Sequence, residues 1–212
     1  MTNDAQLPMM KNMLNSALKA GFPMNLFHCY LLQTQPDAAS YNTAEFNVIT
    51  LKKLEVIKMN MLQDREVLWI DNDIVLFQNV INEMRLCMGQ FVMQDDSWSP
   101  CTGFFLARSS IFANKVIDGS IEWLKQNTDK TKNDQHAFNY VYRRAVGLIV
   151  HKLPQDEYPN GDVYFNQKRT SKAKMVHCNY LVTTAEKVER FKEHNMWDDS
   201  NVAFLLTNRY LI

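Results

Sequence analysis

The spacing of apolar residues predicts a helix from Leu7 to Ala20, with Met10, Met13, Leu14 and Ala17 on one face and Gly21 ending it. Leu26 to Leu32 is a nearly continuous apolar run, the pattern of a buried strand. A second helix is predicted from about Val48 to Leu62, carrying Leu54, Ile57 and Met61 at helical spacing. Val67-Leu68-Trp69-Ile70 then reads as a short buried strand, and further strands are expected at Phe91-Val92-Met93, Phe104-Phe105-Leu106, Leu148-Ile149-Val150 and Met175-Val176. Between them falls a helix capped by Ser109, with Phe112, Val116 and Trp123 inward. Another begins near Asn133, with Phe138, Val141, Tyr142 and Ala145 on one face. A last helix should start at Thr183, where Thr183 and Glu186 have capping-box spacing. Residues Pro154 to Lys174 are polar and turn-rich and are expected to form a long active-site loop. Such alternation predicts an α/β fold with a mainly parallel central sheet and helices on both faces. Ligands of such sheets collect at the carboxyl ends of the strands.

Composition narrows the function classes. Lys+Arg and Asp+Glu both number 23, so the formal net charge is zero. Binding a phosphate backbone needs concentrated positive charge, so no nucleic-acid partner is expected. Cys29, Cys87, Cys101 and Cys178 are scattered, with no C-x-x-C pair. That pattern suits reduced thiols in a cytoplasmic compartment rather than a zinc knuckle or a disulfide framework. No apolar run approaches the roughly 20 residues of a membrane span. The polar opening Met1-Thr2-Asn3-Asp4 does not read as a signal peptide. Met9, Met10, Met13, Met24, Met59 and Met61 fall among other apolar positions and read as core filler.

The candidate chemistry centres on Asp71-Asn72-Asp73, which follows the apolar strand Val67–Ile70 directly. Two carboxylates at a strand end can meet at one hard cation, and Mg²⁺ or Mn²⁺ bridges protein carboxylates to substrate phosphates. The same pattern is also compatible with a solvated turn. It fits a haloacid-dehalogenase-type phosphohydrolase too, although about seventy residues precede the motif here and Gly161-Asp162 lacks a second acid. His177 closes a late strand and can add an imidazole ligand; a lone histidine is otherwise structural. Cys178 should point to the opposite face and join the core. Lys187, in the first turn of the last helix, suits a diphosphate, as it suits a solvated surface. Asp134 and Gln135 open another helix, where an acid also simply complements the helix dipole.

Taken together, these residues resemble the nucleotide-diphospho-sugar transferase family of GT-A glycosyltransferases, the group that includes plant xylosyl- and arabinosyltransferases. The anchors run in order: Lys53-Leu54-Glu55, Val67 to Asp73, Thr102-Gly103-Phe104, Asp134-Gln135 through Asn139, Pro159-Asn160-Gly161, His177-Cys178-Asn179-Tyr180, Lys187 and Trp197. The chain is also similar to glycosyltransferase domains of large algal viruses, which implies a host-cytoplasmic setting and a place in a larger multidomain protein. The resemblance implies a GT-A, Rossmann-like single domain over residues 1–212, with a nucleotide-binding part to about 95 and an acceptor part beyond it. It implies that Asp71, Asn72 and Asp73 bind Mn²⁺ (or Mg²⁺) and the diphosphate of a UDP-sugar, that His177 completes the metal shell, and that Lys187 reaches the phosphates. Lys53 would lie near the nucleotide, and Thr2, Asn3 and Asp4 would touch the nucleoside. Asp134 and Gln135 would stand beside the donor sugar in a retaining transfer. Asp95 and Asp96 lie where a sugar-contacting acid is often placed. The acceptor would be a glycan or glycoprotein, contacted by Gln155 to Lys174. A non-catalytic sugar-nucleotide-binding domain is the third reading. Three departures stand out: the family's first strand normally precedes Thr2-Asn3, Cys101 replaces a common Asn, and Thr183 replaces a Gly.

Overall fold

The computed structural model describes residues 1–32, 43–129, 131–202 and 209–212. In chain order the helices are α1 (Leu7–Lys19), α2 (Ala44–Gln63), α3 (Ile81–Leu86), α4 (Ile111–Gln126), α5 (Asp134–Tyr142) and α6 (Thr184–Glu193). The strands are β1 (Cys29–Leu31), β2 (Glu66–Ile70), β3 (Ile74–Leu76), β4 (Phe91–Asp95), β5 (Pro100–Arg108), β6 (Val150–Leu153), β7 (Met175–His177) and β8 (Arg209–Leu211). Two compact units interleave along the chain. The first comprises the described residues of 1–38, 71–80 and 156–212, the second those of 39–70 and 81–155.

The second unit is built on a four-stranded sheet in the order β2-β5-β4-β6. β4 pairs in parallel with β6, and β5 lies antiparallel to both β2 and β4. Thus β2, β4 and β6 point one way and β5 opposes them: the expected α/β sheet, mixed in its pairing. The reason lies in the connection, since the four residues 96–99 between β4 and β5 can close a hairpin but cannot carry a parallel crossover. Phe91 on β4 meets the ring of Phe138 from α5 edge-on at 5.0 Å, and both are fully buried. Helices α2, α4 and α5 pack on one another, α2 against β2 and α5 against β5.

Helix starts follow capping chemistry. Thr43 accepts from the Phe46 N–H, so α2 begins four residues earlier than its apolar spacing suggested. Ser110, not Ser109, caps α4: its Oγ accepts from the Ala113 N–H at 3.1 Å, whereas Ser109 Oγ donates to the Met61 carbonyl at 2.7 Å. Asn133 and His136 form a reciprocal box at the start of α5.

In the first unit, α1 buries Met9, Met10, Met13, Leu14 and Ala17. The Ser16 hydroxyl accepts from the Leu76 N–H, tying α1 to β3. β3 pairs antiparallel with β7, and β1 pairs in parallel with β8. The expected strand from Leu26 starts only at Cys29, because Met24–Leu26 forms a 3-10 turn that leaves Met24 partly exposed. Met59 is 41% exposed and is not core filler. The stretch 154–174 is more anchored than a polar loop: Tyr158, Asn160 and Val163 are buried and Asp162–Asn166 makes a π-helical turn. Among the described residues, no helix is long and apolar enough to cross a membrane.

Candidate metal and donor site

Asp71-Asn72-Asp73 forms the turn between β2 and β3. The β3–β7 register sets Ile74 opposite His177, so the end of β7 is laid beside Asp73. The Cys178 N–H donates to the Asp73 carbonyl at 2.8 Å, and His177 Nε2 lies 3.2 Å from Asp73 Oδ1. Ligand atoms of Asp71, Asp73 and His177 all fall within 4.8 Å of one another. Helix α6 follows β7 and brings Lys187 Nζ to 2.6 Å from Asp73 Oδ2. Strand alternation sends the neighbours of His177 the other way. Val176 and Cys178 enter an apolar cluster with Val75, Phe165 and Phe191. Burial, reinforced by the Asp73 charge, pushes the Cys178 thiol up to about 12, so it is a neutral core group and not a thiolate ligand.

Burial works to neutralise the Asp73 carboxyl, but Lys187 and His177 outweigh it by charge and hydrogen bonding and hold it well below the usual carboxylate range. Burial likewise works against the Lys187 ammonium, and Asp73 reverses this and raises it. The pair is therefore ionised. Two carboxylates and one imidazole in a cluster of this width could hold one divalent ion. The strand end is braced from behind. His177 donates its N–H to the Pro159 carbonyl at 3.3 Å, and the Gly161 N–H donates to Asn179 Oδ1. A Cβ on Gly161 would stand 3.3 Å from the His177 carbonyl, which favours glycine there. The Asn72 side-chain amide donates to the Met1 carbonyl at 2.9 Å. Thr2 bridges to Leu31 beside β1, Asn3 is buried and caps a 3-10 turn, and Asp4 is exposed.

The remaining candidates lie in the second unit. Lys53 of α2 and Asp134 of α5 make a buried ion pair with Nζ–Oδ2 at 3.0 Å. Next to it, Gln135 Nε2 donates to Asp96 Oδ2 at 3.2 Å, and Gln135 Oε1 accepts from the Thr102 N–H. Asp95 is paired with Lys152 at 2.8 Å.

Residues 11–191 match the family of nucleotide-diphospho-sugar transferases. The chain belongs to this family. A UDP-galactose:fucoside alpha-3-galactosyltransferase of Dictyostelium discoideum is 26% identical over 197 residues, covering 76% of this chain and 30% of the relative. The UDP-D-xylose:L-fucose alpha-1,3-D-xylosyltransferase MGP4 of Arabidopsis thaliana is 32% identical over 74 residues, 32% of this chain and 21% of its own. The chain thus spans less than a third of the length of these curated relatives. Two solved structures share its fold with a TM-score of 0.62. One is a glycosyltransferase involved in glycosylation of the major capsid of PBCV-1, 14% identical and covering 91% of this chain and 97% of its own. The other is the galactosyltransferase LgtC in complex with donor and acceptor sugar analogues, 13% identical and covering 98% and 100%. These likenesses give the nucleotide-diphospho-sugar transferase chain a GT-A fold.

For this transferase-family chain, sequence reasoning found Asp71, Asp73, His177 and Lys187, and the fold brings all four together. It did not find the pairing of Lys53 with Asp134, nor the Gln135–Asp96 bond, because both join residues far apart in sequence. It also passed over Trp98, which is 89% exposed in the β4–β5 turn. The signal was present as a large aromatic set among Asp, Ser and Pro.

Proposed function

We propose that the chain transfers a sugar from a UDP-sugar to a glycan or glycoprotein acceptor, with Mn²⁺ (or Mg²⁺) held by Asp71, Asp73 and His177. The observation that carries this reading is the convergence of their ligand atoms within 4.8 Å, with Lys187 on Asp73. The cation, when bound, supplies Lewis-acid stabilisation of the departing diphosphate. Lys187 adds positive charge beside it, at the positive end of α6. Asp134 and Gln135 are assigned to the donor sugar; the Lys53–Asp134 pair holds the start of α5, and Asp96 holds the Gln135 amide. Thr2, Asn3 and Asp4 form the nucleoside side of the site.

Both relatives named above make alpha products on fucosides or fucose. From an α-configured UDP-sugar that outcome is retention, and we assign the same to this chain. The test is an NMR-followed reaction with a panel of UDP-sugars, Mn²⁺ and simple glycosides, beside an Asp71→Ala/Asp73→Ala variant. An α-linked product, absent in the variant, is expected. A β-linked product would overturn the roles of Asp134 and Gln135. UDP binding of equal strength in the variant would overturn the metal site. Phosphate release from simple esters, without sugar transfer, would favour the phosphohydrolase reading. UDP-sugar binding with neither transfer nor hydrolysis would make this a binding domain.

A further inference from the structure

A cleft of about 470 Å³ opens in the second unit among the β4–β5 turn, α4 and α5. Its rim carries Trp98, whose indole is 89% exposed. The turn is held against its own backbone preference to place it there. Ser97 sits at φ 64°, a left-handed conformation that non-glycine residues seldom adopt. Gln155 Nε2 fixes it, donating to Ser97 Oγ at 2.9 Å and to the Asp95 carbonyl at 3.4 Å. The Asp96 N–H closes the turn on the Ser99 carbonyl at 2.9 Å. Strain maintained to present an apolar ring to water is unprofitable for folding and points to a ligand.

The cleft's other aromatic surfaces are already engaged. Arg144 covers the ring of Tyr140 at 3.7 Å, and Trp123 meets the same ring at 5.4 Å. Trp98 is therefore the open face, of a size to stack on one sugar ring. Lys132, Arg143 and Arg144 line the cleft and no acidic side chain does so among its described lining residues. Lys132 is partly balanced by Asp129 at 3.6 Å, and Arg144 is spent on Tyr140. Arg143 is exposed and has no ion-pair partner among the described residues. Gln135 belongs to the same lining and carries the bond to Asp96, so the cleft adjoins the residues assigned above to the donor sugar.

We propose that this cleft is the acceptor subsite, and that it takes a glycan residue carrying a negative charge, its ring on Trp98 and its anionic group at Arg143. The proposal rests on the transferase reading, and its test separates the two. The full chain is titrated with the methyl glycosides of galacturonic acid, galactose and L-fucose by saturation-transfer NMR. UDP with Mn²⁺ is titrated in parallel by calorimetry. The uronide should bind most tightly. Trp98→Ala should weaken all glycosides about tenfold or more, Trp98→Phe should restore most of the loss, and Arg143→Ala should weaken the uronide alone. UDP affinity should stay unchanged in all three variants. Glycoside binding indifferent to Trp98→Ala would overturn the subsite. Neutral glycosides binding as well as the uronide, with Arg143→Ala silent, would overturn the charge preference. Self-association lost in Trp98→Ala, with no glycoside bound, would assign the cleft to a second copy and overturn the proposal. Failure of the unaltered chain to bind UDP with Mn²⁺ would sink the transferase reading, whereas a Trp98-dependent glycoside signal would still establish a sugar site here.

Discussion

Each unit buries a lysine against an aspartate, Lys187 on Asp73 at 2.6 Å in the first and Lys53 on Asp134 at 3.0 Å in the second. In the second unit both side chains are closed off, 7% and 6% exposed. Lys53 also lies over the Trp69 ring at 5.5 Å. The first pair is more open, 19% and 12% exposed, and its aspartate faces a histidine and a second aspartate as well. One pair joins α2 to α5. The other belongs to a cluster with more donor atoms than a single ammonium can use. The same two residue types thus fasten two helices together in one place and stand in the cluster proposed to hold the metal in the other, and what separates the two is the surplus of carboxylate and imidazole atoms.

The largest effect expected from breaking this contrast is on stability in the second unit. Lys53→Met takes the lysine from the buried Asp134 carboxylate, and Asp134→Leu takes the aspartate from the buried Lys53 ammonium. Each single change should cost about 3–5 kcal/mol, whereas the double change Lys53→Met/Asp134→Leu should recover most of it, since the desolvation cost of both ions disappears. Denaturant unfolding of the four proteins measures this. Additive losses in the double variant would show that the pair is not a closed unit.

The next effect is on ligand binding in the first unit. Asp73→Asn keeps the size of the side chain and removes a carboxylate ligand. UDP affinity in the presence of Mn²⁺ should fall at least about 100-fold, near 2.7 kcal/mol. Chelation of the metal should have the same consequence for the unaltered chain. Isothermal titration with UDP reads both. If UDP binds equally well in Mn²⁺ and in a chelator, the surplus donors serve no ion.

How much of this was legible beforehand follows from the range of each interaction. Asp71 and Asp73 announce themselves because two acids directly follow an apolar strand, a pattern contained within seven residues. His177 and Lys187 stand more than a hundred positions later, and only the resemblance linked them to the acids; the β3–β7 register supplies the physical link. That register was itself hidden, because β3 has three residues and follows a turn, too short for a period to show. Lys53 read as a basic residue near the nucleotide and Asp134 as a dipole-complementing acid or a neighbour of the donor sugar, and nothing local tells that α2 will pack on α5. The misplaced cap shows the same limit at short range. Ser109 and Ser110 are chemically identical, and the choice falls to Ser110 because Met61, on another element, takes the Ser109 hydroxyl.

A smaller effect is expected at the edge of the ion cluster. His177→Ala removes one ligand and leaves both carboxylates and Lys187 in place. Mn²⁺ affinity should fall roughly 10- to 100-fold, comparable to what is seen when support is removed from metal sites. The buried cavity left by the ring will cost stability too, so His177→Asn is the second variant: it fills part of the space and keeps a polar atom. Both should bind Mn²⁺ more weakly by calorimetry while retaining a cooperative melt. Unfolding of both variants with no change in metal affinity where folded would make His177 a wall of the core.

The smallest effect lies in the cap of α6, which holds Lys187 in position. Thr183 Oγ1 accepts from the Glu186 N–H at 3.2 Å, and the Glu186 carboxylate accepts from the Thr183 N–H at 2.9 Å. Thr183→Ala removes the first bond and should cost about 1 kcal/mol, lowering the melting temperature by roughly 2–4 °C. The reciprocal bond gives a pH signature. Hydrogen bonds from Thr183, its backbone first, hold the Glu186 carboxyl below its ordinary value of 4.5. A carboxyl lowered by folding stabilises the folded chain above its ordinary value, and that support fades as the pH falls through the lowered one. The stability difference between Glu186→Gln and the unaltered chain should therefore be full near neutral pH and shrink below about pH 4.5. A difference that stays constant down to acid pH would show that the carboxylate contributes nothing to the cap. Because α6 carries Lys187, a cap loss that also weakens UDP binding by more than the melting shift predicts would tie the helix start directly to the ion cluster.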